Sequence, residues 1–335
     1  MENKVKDKFC RYPFWHMEID PLGNVSCCCP DFTDFYFFGN IFEEDNFKNI
    51  WNGEKWNNFR KNILCGDYSN CKLEMCYGLD DTQFVGIKRI PKKTLPTPKY
   101  VTLSLDSSCN VKCIFCRDNK CYVDKELRQQ LINKIEKFFI PMLKHTNIVV
   151  LNGAGEVFAS KFCKTLIEKV TEKYPKIKFD IFTNGLLCNE KILKIFNLLN
   201  RLNAVTVSLH ATTEKTYNSI IQGSDFNKVI KNIEYLSQMK KDKKIEILAL
   251  TFVVTSLNYQ ELPAFVELAA KYNAYPNIWP VRPYNECDFC HNIDKYDITK
   301  KNHPKHKDFL EVLKNPIFKK HHILINGQIT NLFEE

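Results

Sequence analysis

The stretch YVTLSLDSSCNVKCIFC, residues 100–116, joins a strand pattern to a cluster of cysteines. In its first seven residues apolar side chains alternate with polar ones, as in a strand that buries one face. Cys109, Cys113 and Cys116 follow directly, in the spacing C-x3-C-x2-C. Parallel α/β folds build their sites at the C-terminal ends of strands. The stretch therefore predicts both the fold and the place of its chemistry.

Strand-like segments continue along the chain and alternate with helical patterns, the clearest from Asp124 to about Lys144. Such alternation predicts a parallel sheet. Six units are too few for the usual eight-stranded barrel, so they suit either a partial, open barrel or a doubly wound sheet. The other predicted strands are 147–153, 177–183, 204–210, 245–254 and 275–281.

The alternation within the strands favours the barrel. In AVTVSLH, residues 204–210, apolar residues alternate with Thr206, Ser208 and His210. A sheet covered by helices on both faces reads as nearly continuous apolar runs, whereas these strands are apolar on one side only. We therefore expect the other side to line a polar cavity. The predicted fold class is α/β, a partial (β/α)6 open barrel preceded by a small cysteine-rich α+β domain.

The domain boundaries follow from composition. RIPKKTLPTPKYV, residues 89–101, carries three prolines and four basic residues and indicates a linker. We expect a cysteine-rich domain over 1–90, a linker over 91–98, the barrel over 99–283 and a C-terminal cap over 284–335.

Composition also bounds the class of protein. The formal charge of +9 is spread over short lysine-rich groups, which indicates solvated helix faces more than a nucleic-acid groove. The start of the chain lacks the apolar core of a signal peptide, and no apolar run reaches 18 residues, which predicts a cytoplasmic protein without a membrane span. In a reducing cytosol, the fifteen cysteines indicate metal binding or thiol chemistry.

The cysteine triplet is one ligand short of a closed site. Thiolates suit zinc and iron–sulfur clusters, and a structural zinc ion takes four protein ligands. Three cysteines leave one position open to a ligand that is not protein. C-x3-C-x2-C after a first strand resembles the signature of the radical S-adenosylmethionine enzymes, over about residues 99–281. The resemblance implies that Cys109, Cys113 and Cys116 hold a 4Fe–4S cluster whose fourth iron binds S-adenosylmethionine.

Later motifs follow the family pattern in order. NGAGEVF, residues 152–158, resembles the Gly-Gly-Glu motif, with Ala154 and Val157 as departures, and FTNGLL (182–187) resembles the end of the third strand. Many relatives carry an arginine about twelve residues after the serine of the fourth strand, where Ile220 stands here. The resemblance implies these contacts to S-adenosylmethionine: Phe115, Gly153, Gly155, Glu156, Thr183, Asn184 and Ser208.

The N-terminal region is similar to the SPASM-type auxiliary-cluster domain of the same superfamily. CRYPFWHMEIDPLGNVSCCCPD (10–31) reads as a hairpin turning at Pro21–Gly23, and a tryptophan-containing helical segment and CKLEMC (71–76) follow. The resemblance implies a second 4Fe–4S cluster held by four cysteines, while a structural zinc ion on the same cysteines is the alternative. The implied ligands are Cys10, Cys28, Cys71 and Cys76, with Cys27 or Cys29 possible in place of Cys28, since alternate strand residues face opposite sides.

Three further residues are candidates for catalysis. His210 ends the fourth predicted strand, and Cys287 and Cys290 follow the sixth. The two cysteines could complete a metal site, return a hydrogen atom to a substrate radical, or be ordinary residues of the C-terminal cap.

The resemblance implies reductive cleavage of S-adenosylmethionine and removal of a hydrogen atom from a C–H bond by the 5′-deoxyadenosyl radical. We expect a peptide or small polar substrate, a reductant such as flavodoxin or ferredoxin, and a net oxidation, cross-link or epimerisation assisted by the auxiliary cluster. Two other classes stay open. One is an RNA-modifying enzyme of the same superfamily, which the positive charge would suit, and the other is a zinc or iron–sulfur scaffold or electron carrier without enzymatic activity.

Overall fold

The computed structural model describes residues 9–73, 76, 94–119, 121–152, 154–282, 288–320 and 323–325. The chain divides into two compact units. The N-terminal unit comprises residues 1–107, 123–154 and 161–179, and the C-terminal unit comprises residues 108–122, 155–160 and 180–335. Compact units and family domains are different divisions of a chain, so the predicted domain boundaries stay predictions.

Strands and helices alternate through the described residues, as the sequence predicts. The strands are β1 His16–Ile19, β2 Asn24–Ser26, β3 Gly39–Asn40, β4 Tyr100–Leu103, β5 Lys112–Cys113, β6 Ile148–Leu151, β7 Lys178–Thr183, β8 Leu202–Ser208, β9 Ile221–Gln222, β10 Ile247–Val254, β11 Tyr275–Pro280 and β12 Leu324–Ile325. The helices are α1 Tyr12–Trp15, α2 Phe47–Trp51, α3 Glu54–Leu64, α4 Lys125–Lys134, α5 Ile140–Met142, α6 Lys161–Lys173, α7 Glu190–Ile195, α8 Glu214–Ile220, α9 Phe226–Lys241, α10 Leu262–Lys271, α11 Asp288–His291, α12 His306–Leu313 and α13 Ile317–Lys320.

In the N-terminal unit the strands lie in the order β6-β4-β1-β2-β3. The predicted hairpin is β1 and β2, whose turn is held by the Asp20 carboxylate, which accepts hydrogen bonds from the backbone N–H groups of Leu22 and Asn24. Gly23 has φ +80°, and a Cβ there would lie 2.7 Å from the Phe42 ring, so this turn requires glycine. Beyond the prediction, β1 also pairs in parallel with β4, with Glu18 opposite Thr102.

In the C-terminal unit the order is β7-β8-β10-β11-β12, and the registers of β8 to β12 along this order are parallel. The register places Ser208, Thr251 and Asn277 side by side on one face, because directly paired residues project to the same side. Their strand neighbours on the other face, such as Val207 and Leu250, are fully buried. The predicted α/β class and the one-sided strand pattern are therefore confirmed.

The long helical pattern after Asp124 is a continuous run of turns. Asp124 caps α4 by accepting a hydrogen bond from the Leu127 N–H, and a π-helical segment, Ile135–Phe139, lies between α4 and α5. Its apolar residues at three- and four-residue steps, Leu131, Ile135, Phe138 and Met142, are all buried. No helix among the described residues is long and apolar enough to cross a lipid bilayer.

Replacing Leu166 by alanine should lower the free energy of unfolding by about 2–5 kcal/mol, because its side chain is fully buried on the apolar face of α6 and truncation leaves a cavity. Leu64, at the end of α3, is 46% exposed, and its replacement by alanine should cost less than about 0.5 kcal/mol. Urea unfolding of both variants under anaerobic conditions measures the difference. Equal losses would show that the core is packed otherwise.

Candidate metal centres

The loop that carries the cysteine triplet is fixed by its backbone. Strand β5 contains Cys113 and pairs antiparallel with β9, and the Ile114 N–H donates to the Ile220 carbonyl at 3.0 Å. The Cys109 N–H donates to the Cys121 carbonyl at 2.7 Å, which closes the loop on itself. The three cysteines are therefore held in place by main-chain hydrogen bonds.

The thiols of the triplet interact with one another. Burial raises the pKa of Cys109 and of Cys113, and neighbouring cysteine charges raise it further. Arg117 opposes this effect, since its guanidinium lowers the pKa of both thiols, and its Nε donates to Cys116 Sγ at 3.3 Å. The structure thus brings the three predicted ligands together at a place where deprotonated thiols need a positive partner, as a bound cluster supplies.

Glu156 joins two loops of the C-terminal unit. Its carboxylate accepts hydrogen bonds from the Thr183 hydroxyl at 2.7 Å, the Asn184 N–H at 2.7 Å and the Phe158 N–H at 3.3 Å. The residue is 1% exposed, and burial raises its pKa to about 7 against those three donors. The carboxylate of the Gly-Gly-Glu-like motif is therefore committed to fixing the turn after β7.

Asn184 extends this network to the triplet. Its side-chain nitrogen lies 2.9 Å from Asn110 Oδ1 and 4.0 Å from Cys109 Sγ, and its oxygen accepts a hydrogen bond from the Leu186 N–H. Asn184 thus connects the turn after β7 to the first cysteine of the triplet. Asn110 was not predicted from the sequence, although its position directly after Cys109 could have pointed to it.

The remaining predicted contacts to S-adenosylmethionine lie at strand ends and loops of the same unit. Ser208 is the last residue of β8 and is half-buried, and Gly155 is half-buried just before Glu156. The Phe115 ring meets His210 edge-on at 5.0 Å and Phe289 at 6.1 Å. Gly153 falls outside the described residues.

His210 is locked by its neighbours. Its Nδ1 accepts a hydrogen bond from the Val253 N–H at 3.0 Å, and its carbonyl accepts one from the Asn258 side chain at 2.9 Å. Its backbone has φ +60°, and burial lowers the pKa of the ring to about 3. Burial and these contacts keep the His210 ring neutral, and the residue braces Phe115 and β10. No described contact supports its predicted catalytic role.

The predicted thiol pair after the sixth strand is described only in part. Cys290 lies in α11, half-buried against an apolar cluster of Val281 and Phe289 that Phe115 also contacts. Cys287 falls outside the described residues.

A separate cavity in the N-terminal unit collects five cysteines. Its lining consists of Cys10, Cys27, Cys28, Cys71 and Cys76, together with Tyr12, Phe32, Thr33, Phe59, Tyr68 and Leu73. Cys29 is not among the lining residues. The strand argument for choosing between these cysteines was wrong, because β2 ends at Ser26, and Cys27 and Cys28 both face the cavity from the bend that follows.

The cavity fits a metal cluster. Burial and neighbouring cysteine charges raise the pKa of the Cys10 thiol, and burial with Cys28 and Cys76 raises that of Cys71 to about 12. Five thiols converge on this apolar, aromatic-lined cavity, and an iron–sulfur cluster uses four such donors. Within the described ranges, no three His, Cys, Asp or Glu side chains are grouped around a single metal ion.

Comparison with known proteins agrees with this geometry. The model of the radical SAM superfamily matches residues 104–269, and that of an iron–sulfur cluster-binding domain, SPASM, matches residues 10–77. The GTP 3′,8-cyclase of Clostridium botulinum strain Okra is 28% identical over 219 residues, which cover 64% of this chain and 65% of that protein. The chain thus spans slightly less than two thirds of the length of this relative.

Two further similarities are with a maturase and with a solved structure. The mycofactocin maturase MftC of Mycolicibacterium smegmatis is 26% identical over 195 residues, covering 57% of this chain and 47% of that protein. A solved structure described as native anSMEcpe with bound AdoMet and Cp18Cys peptide has a TM-score of 0.43 and 21% identity, covering 68% of this chain and 62% of that one.

The fold and the two cysteine sites define an iron–sulfur enzyme of α/β class with an auxiliary cluster region. The chain belongs to the radical SAM superfamily and carries an N-terminal SPASM domain. Its cofactors are S-adenosylmethionine, a 4Fe–4S cluster that binds it, and auxiliary iron–sulfur chemistry in the SPASM domain.

The Glu156→Gln substitution should reveal a pH-dependent stability. The raised pKa, about 7 against an ordinary 4.5, means that the folded state holds more protons between those values than the unfolded state. The contribution of Glu156 is therefore present at pH 4.5 and is lost as the pH rises through 7, by up to about 1.4 kcal/mol per unit. Urea unfolding from pH 5 to 7.5 should show that the free energy of unfolding of wild type minus that of the variant falls as the pH rises.

His210→Asn provides a control in which the stability difference from wild type should change with pH in the opposite direction. The pKa of His210 is lowered from 6.5 to about 3, so its contribution is present above pH 6.5 and is lost as the pH falls. Asparagine also tolerates φ +60°. If the stability difference from wild type changed with pH in the same direction for both variants, the pKa directions given for Glu156 and His210 would be contradicted.

Proposed function

We propose that this chain cleaves S-adenosylmethionine at a 4Fe–4S cluster held by Cys109, Cys113 and Cys116 and modifies a C–H bond of a peptide or a small polar substrate. The observation that carries the proposal is the convergence of these three thiols on a loop fixed by main-chain hydrogen bonds. When bound, the cluster would supply the one electron that breaks the sulfonium C–S bond of S-adenosylmethionine, giving methionine and the hydrogen-abstracting 5′-deoxyadenosyl radical.

Residues around the triplet prepare the site. Glu156 holds the turn after β7, and through that turn Asn184 is placed within reach of Cys109. Because three donors already bind its carboxylate, Glu156 acts by fixing the turn after β7. The backbone of the Gly-Gly-Glu-like motif remains to contact the cofactor. Arg117 donates from Nε to Cys116 Sγ at 3.3 Å and places a positive charge beside the triplet.

The contacts to S-adenosylmethionine are proposed from the strand ends of the C-terminal unit. Phe115 presents an aromatic ring that His210 and Phe289 hold from two sides, which suits stacking against a purine. Ser208 offers a hydroxyl at the carboxyl end of β8, and the loop at Gly155 offers backbone groups. Thr183 and Asn184 act here through the turn that they form with Glu156.

The second cluster is proposed to sit in the cavity of the N-terminal unit on Cys10, Cys28, Cys71 and Cys76. A cluster of four irons spreads its thiolate ligands over four metal atoms, whereas tetrahedral zinc draws all four onto one ion. The described cysteines share one cavity, and the match to an iron–sulfur cluster-binding domain over residues 10–77 favours the cluster over zinc.

The substrate class rests on the relatives. One relative is named a GTP 3′,8-cyclase, which supports a small polar substrate, and another is named a mycofactocin maturase, which supports a maturation reaction. The auxiliary cluster would accept an electron from the substrate in an oxidation or cross-link, and flavodoxin or ferredoxin would supply the reducing electron. We propose residues 1–90 as the auxiliary domain, 91–98 as its linker, 99–283 as the catalytic barrel and 284–335 as a cap. The matches over residues 10–77 and 104–269 support the first and third of these ranges.

Anaerobically reconstituted protein should contain about eight irons per chain, and the triple variant in which Cys109, Cys113 and Cys116 are alanine should contain about four. With dithionite and S-adenosylmethionine, wild type should release 5′-deoxyadenosine and the triple variant should not. Iron and sulfide analysis together with chromatographic detection of 5′-deoxyadenosine measures both quantities.

Cys163→Ala is the matched control, because Cys163 is buried on the apolar face of α6. Its iron content and cleavage should equal those of wild type. Cleavage that survives the triple substitution would rule out the proposed site, and zinc in place of iron at both sites would leave a metal-stabilised scaffold.

A further inference from the structure

A positive charge lies buried behind the cysteine cavity of the N-terminal unit. Arg60, on α3, is 3% exposed, and its guanidinium lies 4.4 Å from the centre of the Trp51 ring and 5.3 Å from that of Trp56. Burial lowers its pKa to about 10, so the group remains charged at neutral pH. A charge this deeply buried needs a compensating partner.

The partners found for Arg60 are all neutral. Its Nε donates to the Pro13 carbonyl at 2.8 Å, and its Nη1 donates to the Trp51 carbonyl at 2.7 Å and to Asn57 Oδ1 at 3.0 Å. Its Nη2 is buried without a hydrogen-bond partner, and no carboxylate in the described part of the chain pairs with it. Carbonyls and indole faces attract a cation but leave its net charge uncompensated.

The surroundings of Arg60 point to the cavity as the source of negative charge. Phe59, the neighbour of Arg60 on α3, lines the cavity, and so does Tyr12, which directly precedes the Pro13 whose carbonyl accepts from Arg60 Nε at 2.8 Å. Arg60 therefore lies behind the wall of the cavity that holds the proposed cluster ligands.

We propose that Arg60 is the buried counter-ion of the auxiliary cluster and raises its reduction potential. The inference rests on the proposed function only in that a 4Fe–4S cluster occupies this cavity. Such a cluster on four thiolates carries net negative charge, and this charge increases by one on reduction. A fixed positive charge nearby stabilises the reduced form more than the oxidised form. The residue would thereby make the cluster a better acceptor of an electron from the substrate.

The potential is measured in the background that lacks the cysteine triplet, so that only the auxiliary cluster contributes. Redox titration followed by electron paramagnetic resonance compares Arg60→Lys, which keeps the charge, with Arg60→Gln and Arg60→Met, which remove it. At a fixed solution potential, the neutral variants should show a ratio of reduced to oxidised cluster at least tenfold lower, equal to a shift of 59 mV. The lysine variant should change this ratio less than threefold.

Arg201→Met is the matched control, because Arg201 also carries a buried nitrogen without a partner but belongs to the C-terminal unit. It should leave the ratio unchanged. Equal ratios in the lysine and neutral variants, or loss of iron in all of them, would overturn the proposal and leave Arg60 a packing residue. Zinc in the cavity would also overturn it.

The two proposals fail separately in this experiment. Absence of 5′-deoxyadenosine from the parent protein would sink the proposed function, while the potentials of the auxiliary cluster would still be readable.

Discussion

The buried carboxylate of Glu156 is the contact on which the arrangement of the catalytic site depends. A carboxylate inside a protein is costly unless donors converge on it, and here the donors come from the turn after β7 and from its own loop. Both loops are therefore fixed in position, because a shift of either loop would leave the buried carboxylate or an N–H group without its hydrogen-bond partner. Asn184 then transmits that position to Cys109.

Alternation along residues 100–106 and 204–210 was sufficient to predict β4 and β8, because side chains on a half-buried strand must alternate whatever lies around it. The same local rule could not predict that β1 pairs with β4, since pairing between remote strands depends on the whole sheet. It also failed at Cys27 and Cys28, where the strand ends one residue too early for alternation to apply. Strand ends are decided by hydrogen bonding of the backbone, to which side-chain pattern is a weak guide.

The cysteine triplet could be located from sequence because its spacing is short and its chemistry is distinctive. The residue proposed to act on the auxiliary cluster of the N-terminal unit was harder to find. Arg60 binds backbone carbonyls and indole rings, and these leave no charge pattern in the sequence. His210 was found for its chemistry, yet its described contacts are those of a bracing residue, as burial and the Val253 N–H demand.

The parallel pairing of β1 with β4 has a consequence for synthesis of the chain. The His16 ring forms a hydrogen bond through Nε2 with the hydroxyl of Thr102, which lies 86 residues further along the chain. During translation the hairpin of β1 and β2 therefore leaves the ribosome long before the strand that covers its open edge. For several seconds, at ordinary rates of elongation, that edge is unpaired. Cells that overproduce this protein should need chaperones most while residues 20–100 are being made.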